Sequence, residues 1–306
     1  MKTLAFKWMR HLLWFMPLWL VGCGDGSQGL IGETTLERIK REGTIRLGFA
    51  NEAPYAYMDR ETGRLTGEAP EIARVIFERM GVERVEGILT EWGALIPGLK
   101  AGRFDLIAAG MYITPKRCEE IAFTDPTYSI GEAFLVNSGN PKALHGYEDL
   151  AEHPDARLGV VAGTVELGYA EASGVPRERI AVLPDNPSAL AALRAGRIDA
   201  FGGTSLTVGD LLSKAGPDAG LERARPFRQP IIDGREARGY GAFGVRKTDQ
   251  ALLQELNRQL AVFVGSPSHL QLVAPFGFTT NEMPGGVSAA ALCNPAASRK
   301  PSADAE

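Results

Sequence analysis

The sequence predicts an α/β protein built as two similar lobes, not as one large sheet. Three observations carry this. A helix-to-strand unit occurs twice: Leu99-Lys100-Ala101-Gly102-Arg103-Phe104-Asp105 is echoed by Leu193-Arg194-Ala195-Gly196-Arg197-Ile198-Asp199. Each copy ends a helix, turns at a glycine and enters an apolar strand. Short apolar strands alternate with amphipathic helices along most of the chain. Two more strand-like runs, Phe134-Leu135-Val136-Asn137 and Gly239-Tyr240-Gly241-Ala242-Phe243-Gly244-Val245, sit where the chain would leave the first half and return to it. A mature chain of about 260 ordered residues is long enough for two such cores.

The chain opens with a targeting segment over residues 1–22. Lys2, Lys7 and Arg10 form a basic end, and an apolar run over residues 12–21 follows. That run is short for a bilayer span and suits a signal peptide. Leu20-Val21-Gly22-Cys23 resembles the lipobox of bacterial lipoproteins, which implies lipid on Cys23 and a domain anchored to a membrane surface. Residues 23–32 then read as a flexible, Gly-rich tether. Removing residues 1–22 takes away three basic residues and no acids. Thirty Lys and Arg then face 37 Asp and Glu, a balance of −7 that argues against a nucleic-acid partner.

The elements follow in order. Residues 35–42 read as an amphipathic helix stopped by Gly43, and residues 44–49 as an alternating strand. The turn Asn51-Glu52-Ala53-Pro54-Tyr55 stands at that strand's carboxyl end, where open α/β sheets gather ligands. Helices are expected at 70–80, 94–100, 165–173, 187–195 and 252–264. Strands are expected at 82–89, 180–183 and 198–202, and residues 158–164 read as a strand followed by a glycine turn. The lobes are assigned as 33–136 plus 240–280 and as 137–239. Residues 281–306, rich in Pro, Gly, Ala and Ser, read as a loosely packed tail.

Chemistry concentrates in Gly110-Met111-Tyr112-Ile113-Thr114-Pro115-Lys116-Arg117. The strand before it is expected to stop at Gly110, and Pro115 to open a helix. Free backbone N–H groups beside Arg117 would match the two oxygens of a carboxylate. A surface loop with Arg117 paired to Glu119 or Glu120 fits the same residues. Thr164, after the strand and Gly163, is a candidate helix cap at a second anion site. Cys118 and Cys293 are available to pair in an oxidising compartment, and the sequence leaves that undecided. No metal-ligand spacing and no phosphate loop is visible.

Taken with Phe123-Thr124-Asp125-Pro126-Thr127-Tyr128, residues 159–164 and residues 195–200, the 110–117 run resembles the extracellular solute-binding proteins of ABC importers that serve polar amino acids. The resemblance spans residues 36–278. It implies the two-lobed periplasmic-binding-protein fold, two strand crossovers and a central cleft that closes on its ligand. It also implies that Arg117 clamps a ligand carboxylate, aided by backbone at Thr114 and by Thr164 from the opposite lobe. The sequence departs from the amino-acid binders at Tyr112, usually a small hydroxyl residue, and near Thr204, where an Asp that holds the amino group is missing. Both departures resemble the ectoine/hydroxyectoine-binding members, as do residues 51–55, 66–71 and 202–207.

Ectoine is a small ring carrying a delocalised cation and a carboxylate. Tyr55, Trp92 and Tyr112 would wall the cation, at roughly 0.5–2 kcal/mol each when desolvated. Glu52 would balance its charge and Arg117 would take the carboxylate. Ordinary core packing for the aromatics, and a solvated turn for Glu52, are the plain alternatives. Binding of a polar amino acid such as arginine or glutamine is a second reading. A periplasmic dehydratase of cyclic carboxylates on the same fold is a third, with Glu52 as its one candidate acid. The expectation is an exported monomeric binding protein, no enzyme, with no cofactor or metal, whose partners are a small zwitterion and an ABC permease.

Overall fold

The computed structural model describes residues 32–295. Cys23 and the targeting segment lie outside the described residues. The chain runs α1 (Thr35–Glu42), β1 (Thr44–Phe49), a small hairpin of β2 (Tyr57–Met58) and β3 (Leu65–Thr66), α2 (Glu68–Arg79), β4 (Arg84–Leu89), α3 (Leu95–Lys100), β5 (Leu106–Tyr112), α4 (Pro115–Glu120), β6 (Ala122–Phe123) and β7 (Tyr128–Ile130). Next come β8 (Glu132–Asn137), α5 (Tyr147–Glu152), β9 (Leu158–Val161), α6 (Glu166–Ala172), β10 (Ile180–Leu183), α7 (Asn186–Arg194), β11 (Ala200–Thr204), α8 (Ser205–Ala215) and β12 (Leu221–Arg223). A hairpin of β13 (Ile231–Ile232) and β14 (Arg235–Glu236) leads into β15 (Gly239–Val245), α9 (Gln250–Phe263), α10 (Pro267–Val273) and α11 (Ala289–Cys293).

Two sheets result, and they share a plan. The first has the order β4-β1-β5-β15-β6, with β7 also on β15; the second has the order β10-β9-β11-β8-β12. In each, three strands are parallel and the next, β15 or β8, is antiparallel. The repeated unit explains the likeness. Each copy ends α3 or α7, turns through a glycine with positive φ (Gly102 at 72°, Gly196 at 65°) and delivers an aspartate to the backbone of a parallel neighbour, on β1 or just before β9. The Asp105 carboxylate accepts from the Arg46 amide at 3.2 Å, and Asp199 accepts from the Arg157 amide at 2.8 Å. Asp105 is fully buried and meets Arg46 and Arg38, so its charge is paired where water cannot reach it.

The structure departs from the sequence reading in four places. The first passage between sheets lies at Gly131, not after Val136. The whole of β8 pairs with β11, from Glu132↔Thr204 to Val136↔Ala200. Gly131 suits the passage because a Cβ there would stand 3.0 Å from the Gln229 side chain. Strand β5 runs on through Gly110 to Tyr112, which pairs with Gly241. Gly110 takes a left-handed φ of 69°, and the ladder shifts register between Ala242 and Gly244. Helix α6 starts at Glu166 after Val165, so Thr164 is no side-chain cap; its hydroxyl donates to the Val161 carbonyl at 2.8 Å.

The fourth departure is the tail. Residues 281–295 are placed on the first sheet's side of the protein rather than loose. The Ser129 hydroxyl donates to the Met283 carbonyl at 3.1 Å, the Ala289 amide donates to Asp125 at 2.8 Å, and Cys293 is disulfide-bonded to Cys118. That bond fastens α11 to α4, the helix that carries Arg117. It closes a loop with a sequence separation of 175 residues. A Cys118→Ser/Cys293→Ser variant should therefore lose about 2–4 kcal/mol in urea unfolding. Unchanged stability would show that α11 holds its place without the bond.

Candidate functional site

The site is built from the carboxyl ends of strands in both sheets. After β1 the chain turns through Glu52 and Tyr55; after β4 comes Trp92; β5 ends at Tyr112, and α4 presents Arg117. From the second sheet come the β9–α6 turn with Thr164, Val165 and Glu166, and Thr204 at the end of β11. Together with Gly110 these residues line a cavity of about 20 Å³. That is room for little more than a water, far below ligand pockets of roughly 300–1,000 Å³, so a solute enters only as the lobes part. Seven of the eight residues expected to contact a solute line it: Glu52, Tyr55, Trp92, Tyr112, Arg117, Thr164 and Thr204. Thr114 does not. Its hydroxyl accepts from the Arg117 amide at 3.3 Å and so caps α4, and it lines a neighbouring groove.

The two sheets' loops meet on both sides of the cavity. On one side Gly163 accepts twice from the first lobe: from Trp92 Nε1 at 3.2 Å and from Arg117 Nη2 at 3.1 Å. Gly163 must be small there, since φ is 82° and a Cβ would lie 3.1 Å from Gly93 Cα. On the other side four residues form a relay. The Tyr55 and Thr204 hydroxyls are 2.7 Å apart, Thr204 donates to the Thr207 hydroxyl at 3.0 Å, and Thr207 donates to Glu52 Oε1 at 3.0 Å. With Thr204 donating onward, Tyr55 is the donor to it. Each hydroxyl then polarises the next toward the carboxylate.

Arg117 does not pair with Glu119 or Glu120. It spends Nη1 on the Tyr112 carbonyl at 2.8 Å, and its guanidinium carbon stands 5.9 Å from the Trp92 ring centre. Glu120 pairs with Lys100. Behind the cavity, Tyr128 braces two of its walls. It stacks on Tyr55 at 5.2 Å, meets Tyr112 edge-on at 6.4 Å, and donates to the Gly110 carbonyl at 2.7 Å. Phe278 closes the cluster at 5.1 Å from Tyr128. These rings need the glycines of β15: a Cβ at Gly239 would fall 1.9 Å from the Tyr112 ring.

Carboxyl groups outnumber the guanidinium. Burial, then the charge of Glu166, pushes Glu52 up to about 7, against hydrogen bonds from Thr207 and Asn186 and the charge of Arg117. Burial also raises Glu166 and Glu132, and the charge of Glu166 raises Glu132 further. Deeper still, burial pushes Glu68 up to about 8, although Thr127 donates to it at 2.6 Å. Sequence reasoning missed Glu132, Glu166, Thr207 and Tyr128. The signals were present. Glu132 is an acid heading an otherwise apolar strand, and Thr207 stands at capping distance from Thr204. Among the described residues, no group of three or more His, Cys, Asp or Glu is placed to hold a metal ion.

The chain resembles known proteins over most of its length. Residues 45–280 match the model of the bacterial extracellular solute-binding proteins, family 3. A "probable amino-acid ABC transporter periplasmic-binding protein" of Sinorhizobium fredii is 38% identical over 254 residues, covering 82% of this chain and 83% of that protein. Among solved structures, EhuB in complex with hydroxyectoine is 36% identical with a TM-score of 0.76, covering 85% of this chain and 97% of that one. The ancestral amino acid-binding protein AncCDT-1, a precursor of cyclohexadienyl dehydratase, is 27% identical with a TM-score of 0.68 over 80% of this chain and 99% of that one.

The raised carboxyls give a signed pH dependence. From about 4.5 up to about 7 at Glu52 and about 8 at Glu68, the folded state holds more protons than the unfolded chain. Stability must then fall as pH rises through that window. Urea unfolding at pH 8 should give a free energy lower than at pH 5 by on the order of 2 kcal/mol. Glu68→Gln should flatten the decline. A stability that climbs from pH 5 to 8 would contradict the burial of these groups.

Proposed function

The chain belongs to the bacterial extracellular solute-binding proteins of family 3, and from that premise we propose which solute it carries and where it works. As a member of that family it is the exported, periplasmic solute-binding component of an ABC importer of amino-acid type, and its relatives are binding proteins, not enzymes. The solute we propose is a compact zwitterion of the ectoine/hydroxyectoine kind, held between the lobes and passed to the membrane permease. One observation carries this reading: a small cavity walled by Tyr55, Trp92 and Tyr112 has Arg117 as its one lining guanidinium, with Glu52 and Glu166 also in the lining.

Each part of such a solute has a counterpart. A carboxylate is attracted to Arg117, which keeps donors beyond those given to the Tyr112 and Gly163 carbonyls. A delocalised cation is attracted to aromatic faces and to the Glu52 carboxylate. The relay of hydroxyls ending on Glu52 ties the aromatic wall at Tyr55 to the second lobe, so lobe closure and charge placement act together. The 36% identity to EhuB, whose structure holds hydroxyectoine, supports the same class. A cationic amino acid such as arginine is the second reading, favoured by the same surplus of carboxyls. A dehydratase reading has less support: Glu52 is engaged by Thr207 and sits among binding groups.

We further propose that Cys23 carries lipid and holds a monomer at the membrane surface, with residues 24–32 as tether. This rests on the lipobox-like run at 20–23. Cys23→Ser should release the protein while leaving solute affinity unchanged.

Calorimetry with ectoine, hydroxyectoine, proline betaine, arginine and glutamine tests the solute class, with ectoine or hydroxyectoine expected to bind tightest. Arg117→Ala should cost about 2–5 kcal/mol, roughly thirty- to several-thousand-fold, because it strands a buried carboxylate. Tyr112→Ala should cost on the order of 1–2 kcal/mol, and Glu52→Gln should fall between. Thr164→Ala should act mainly on the dissociation rate, since Thr164 lines the cavity from the second lobe. Ectoine affinity unchanged in both Arg117→Ala and Tyr112→Ala would overturn this reading.

A further inference from the structure

Two carboxyl groups at the floor of the second lobe remain without a role in the account so far. Glu132 is the first residue past the Gly131 passage, and Glu166 opens α6. They are 1% and 4% exposed. Each feels the other's charge, and among the described residues no hydrogen bond of ordinary length reaches either oxygen of Glu132 or Oε2 of Glu166; the donors that face them are Tyr112 toward Glu132 and Thr164 toward Glu166. The backbone of Glu132 cannot yield to bring its side chain to water. Gln229 grips it from both sides, accepting from the amide at 2.7 Å and donating to the carbonyl at 3.1 Å.

Two charged carboxylates cannot face each other in so dry a place. Their repulsion grows as water leaves, and the donors that face them, Tyr112 at Glu132 and Thr164 with the Glu166 amide at Glu166, offset it only in part. One proton between them turns the contact into an O–H···O⁻ hydrogen bond. The surrounding charges decide where it sits. Arg117 stabilises the charge on Glu166, so Glu132 carries the proton. The other titratable neighbours are Glu52 across the cavity, Tyr112 on β5, Tyr147 on α5 and Tyr169 on α6; burial keeps all three phenols neutral. The Tyr112 hydroxyl, in a residue only 5% exposed, faces Glu132 without closing to an ordinary hydrogen bond, and Tyr112 lines the same cavity as Glu166.

We propose that Glu132 and Glu166 hold a single proton between them, and that an N–H-bearing cationic group of the solute takes its place beside Tyr112. The O–H bond of Glu132 breaks, its proton leaves to solvent base, and N–H···O bonds to the carboxylates form. The dyad goes from one negative charge to two, and the arriving cation restores the sum to minus one. A neutral or anionic group at that end cannot drive the exchange, so the dyad selects for the cation and makes capture stronger as pH rises. This rests on the zwitterion reading above, and the test separates the two.

Difference infrared spectroscopy of the mature protein at pH 7.5, with glutamate labelled in its carboxyl carbon, reads the proton directly. Wild type should show a neutral-acid band that Glu132→Gln removes and Glu166→Gln shifts without removing. Saturating ectoine should abolish it, and arginine serves as the cationic probe if ectoine does not bind. Absence of any Glu132-dependent band in protein without added solute overturns the proposal. So does a band left unchanged by bound ectoine or bound arginine. Failure of ectoine to bind, with the band present and abolished by arginine, overturns only the ectoine reading and supports the dyad.

Discussion

Charge held out of water without enough countercharge is the constraint on which this structure turns. Arg117 is the cavity's guanidinium; Glu52 and Glu166 line the cavity with it and Glu132 lies against Glu166, all three with raised affinity for protons. Each buried carboxyl costs free energy unless something positive reaches it. The protein lowers that cost with protons and with the hydroxyl relay to Glu52, and a cationic solute lowers it further. Affinity for a cation and the poor solvation of the site are therefore two views of one fact. On the zwitterion reading proposed above, the carboxylate of the same solute would meet Arg117 and keep the total charge near balance.

The scaffold makes such a site possible by building the same lobe twice. Asp105 and Asp199 each bond the amide of a neighbouring strand, fixing two like sheets whose carboxyl ends point into one cleft. Loops that meet at Gly163 and at Thr204 then exclude water from both sides. The aromatic walls are rigid because they rest on Tyr128 and Phe278, and because β15 offers glycines where the rings must pass. The disulfide between Cys118 and Cys293 adds a fastening one residue from Arg117. Stability and recognition thus share residues, as expected where a closed cleft must be prearranged.

Much of this was legible in the chain. The repeated Ala-Gly-Arg-x-Asp unit has a local cause, a glycine turn feeding a strand, and local causes survive into the fold. The walls Tyr55, Trp92 and Tyr112 came from the resemblance to the ectoine/hydroxyectoine-binding members, marked by Tyr112 where the amino-acid binders carry a small hydroxyl residue. Long-range partners were harder. Glu132 reads as one more charge in sequence; only the pairing of β8 with β11 places it beside the cleft and away from water. Glu166 follows a turn in which Thr164 looked like the cap, and a one-residue shift of the helix start put the acid, not the hydroxyl, at the floor. The passage at Gly131 was misplaced because β8 is apolar on both faces, as a central strand of either lobe would be. Composition alone made the tail look loose, since neither its hydrogen bond to Asp125 nor its disulfide leaves a local pattern.

The most direct test removes half of the solute at a time. Calorimetric affinities are compared for ectoine, for the same ring without its carboxylate, and for cyclohexanecarboxylate, which keeps the acid and lacks the cation. A site that needs both charges predicts that each truncated compound binds at least about a hundredfold more weakly than ectoine, the order expected when a buried charge loses its partner. Cyclohexanecarboxylate binding as tightly as ectoine would contradict the account, because the carboxyl groups around Arg117 would then have no part in choosing the solute.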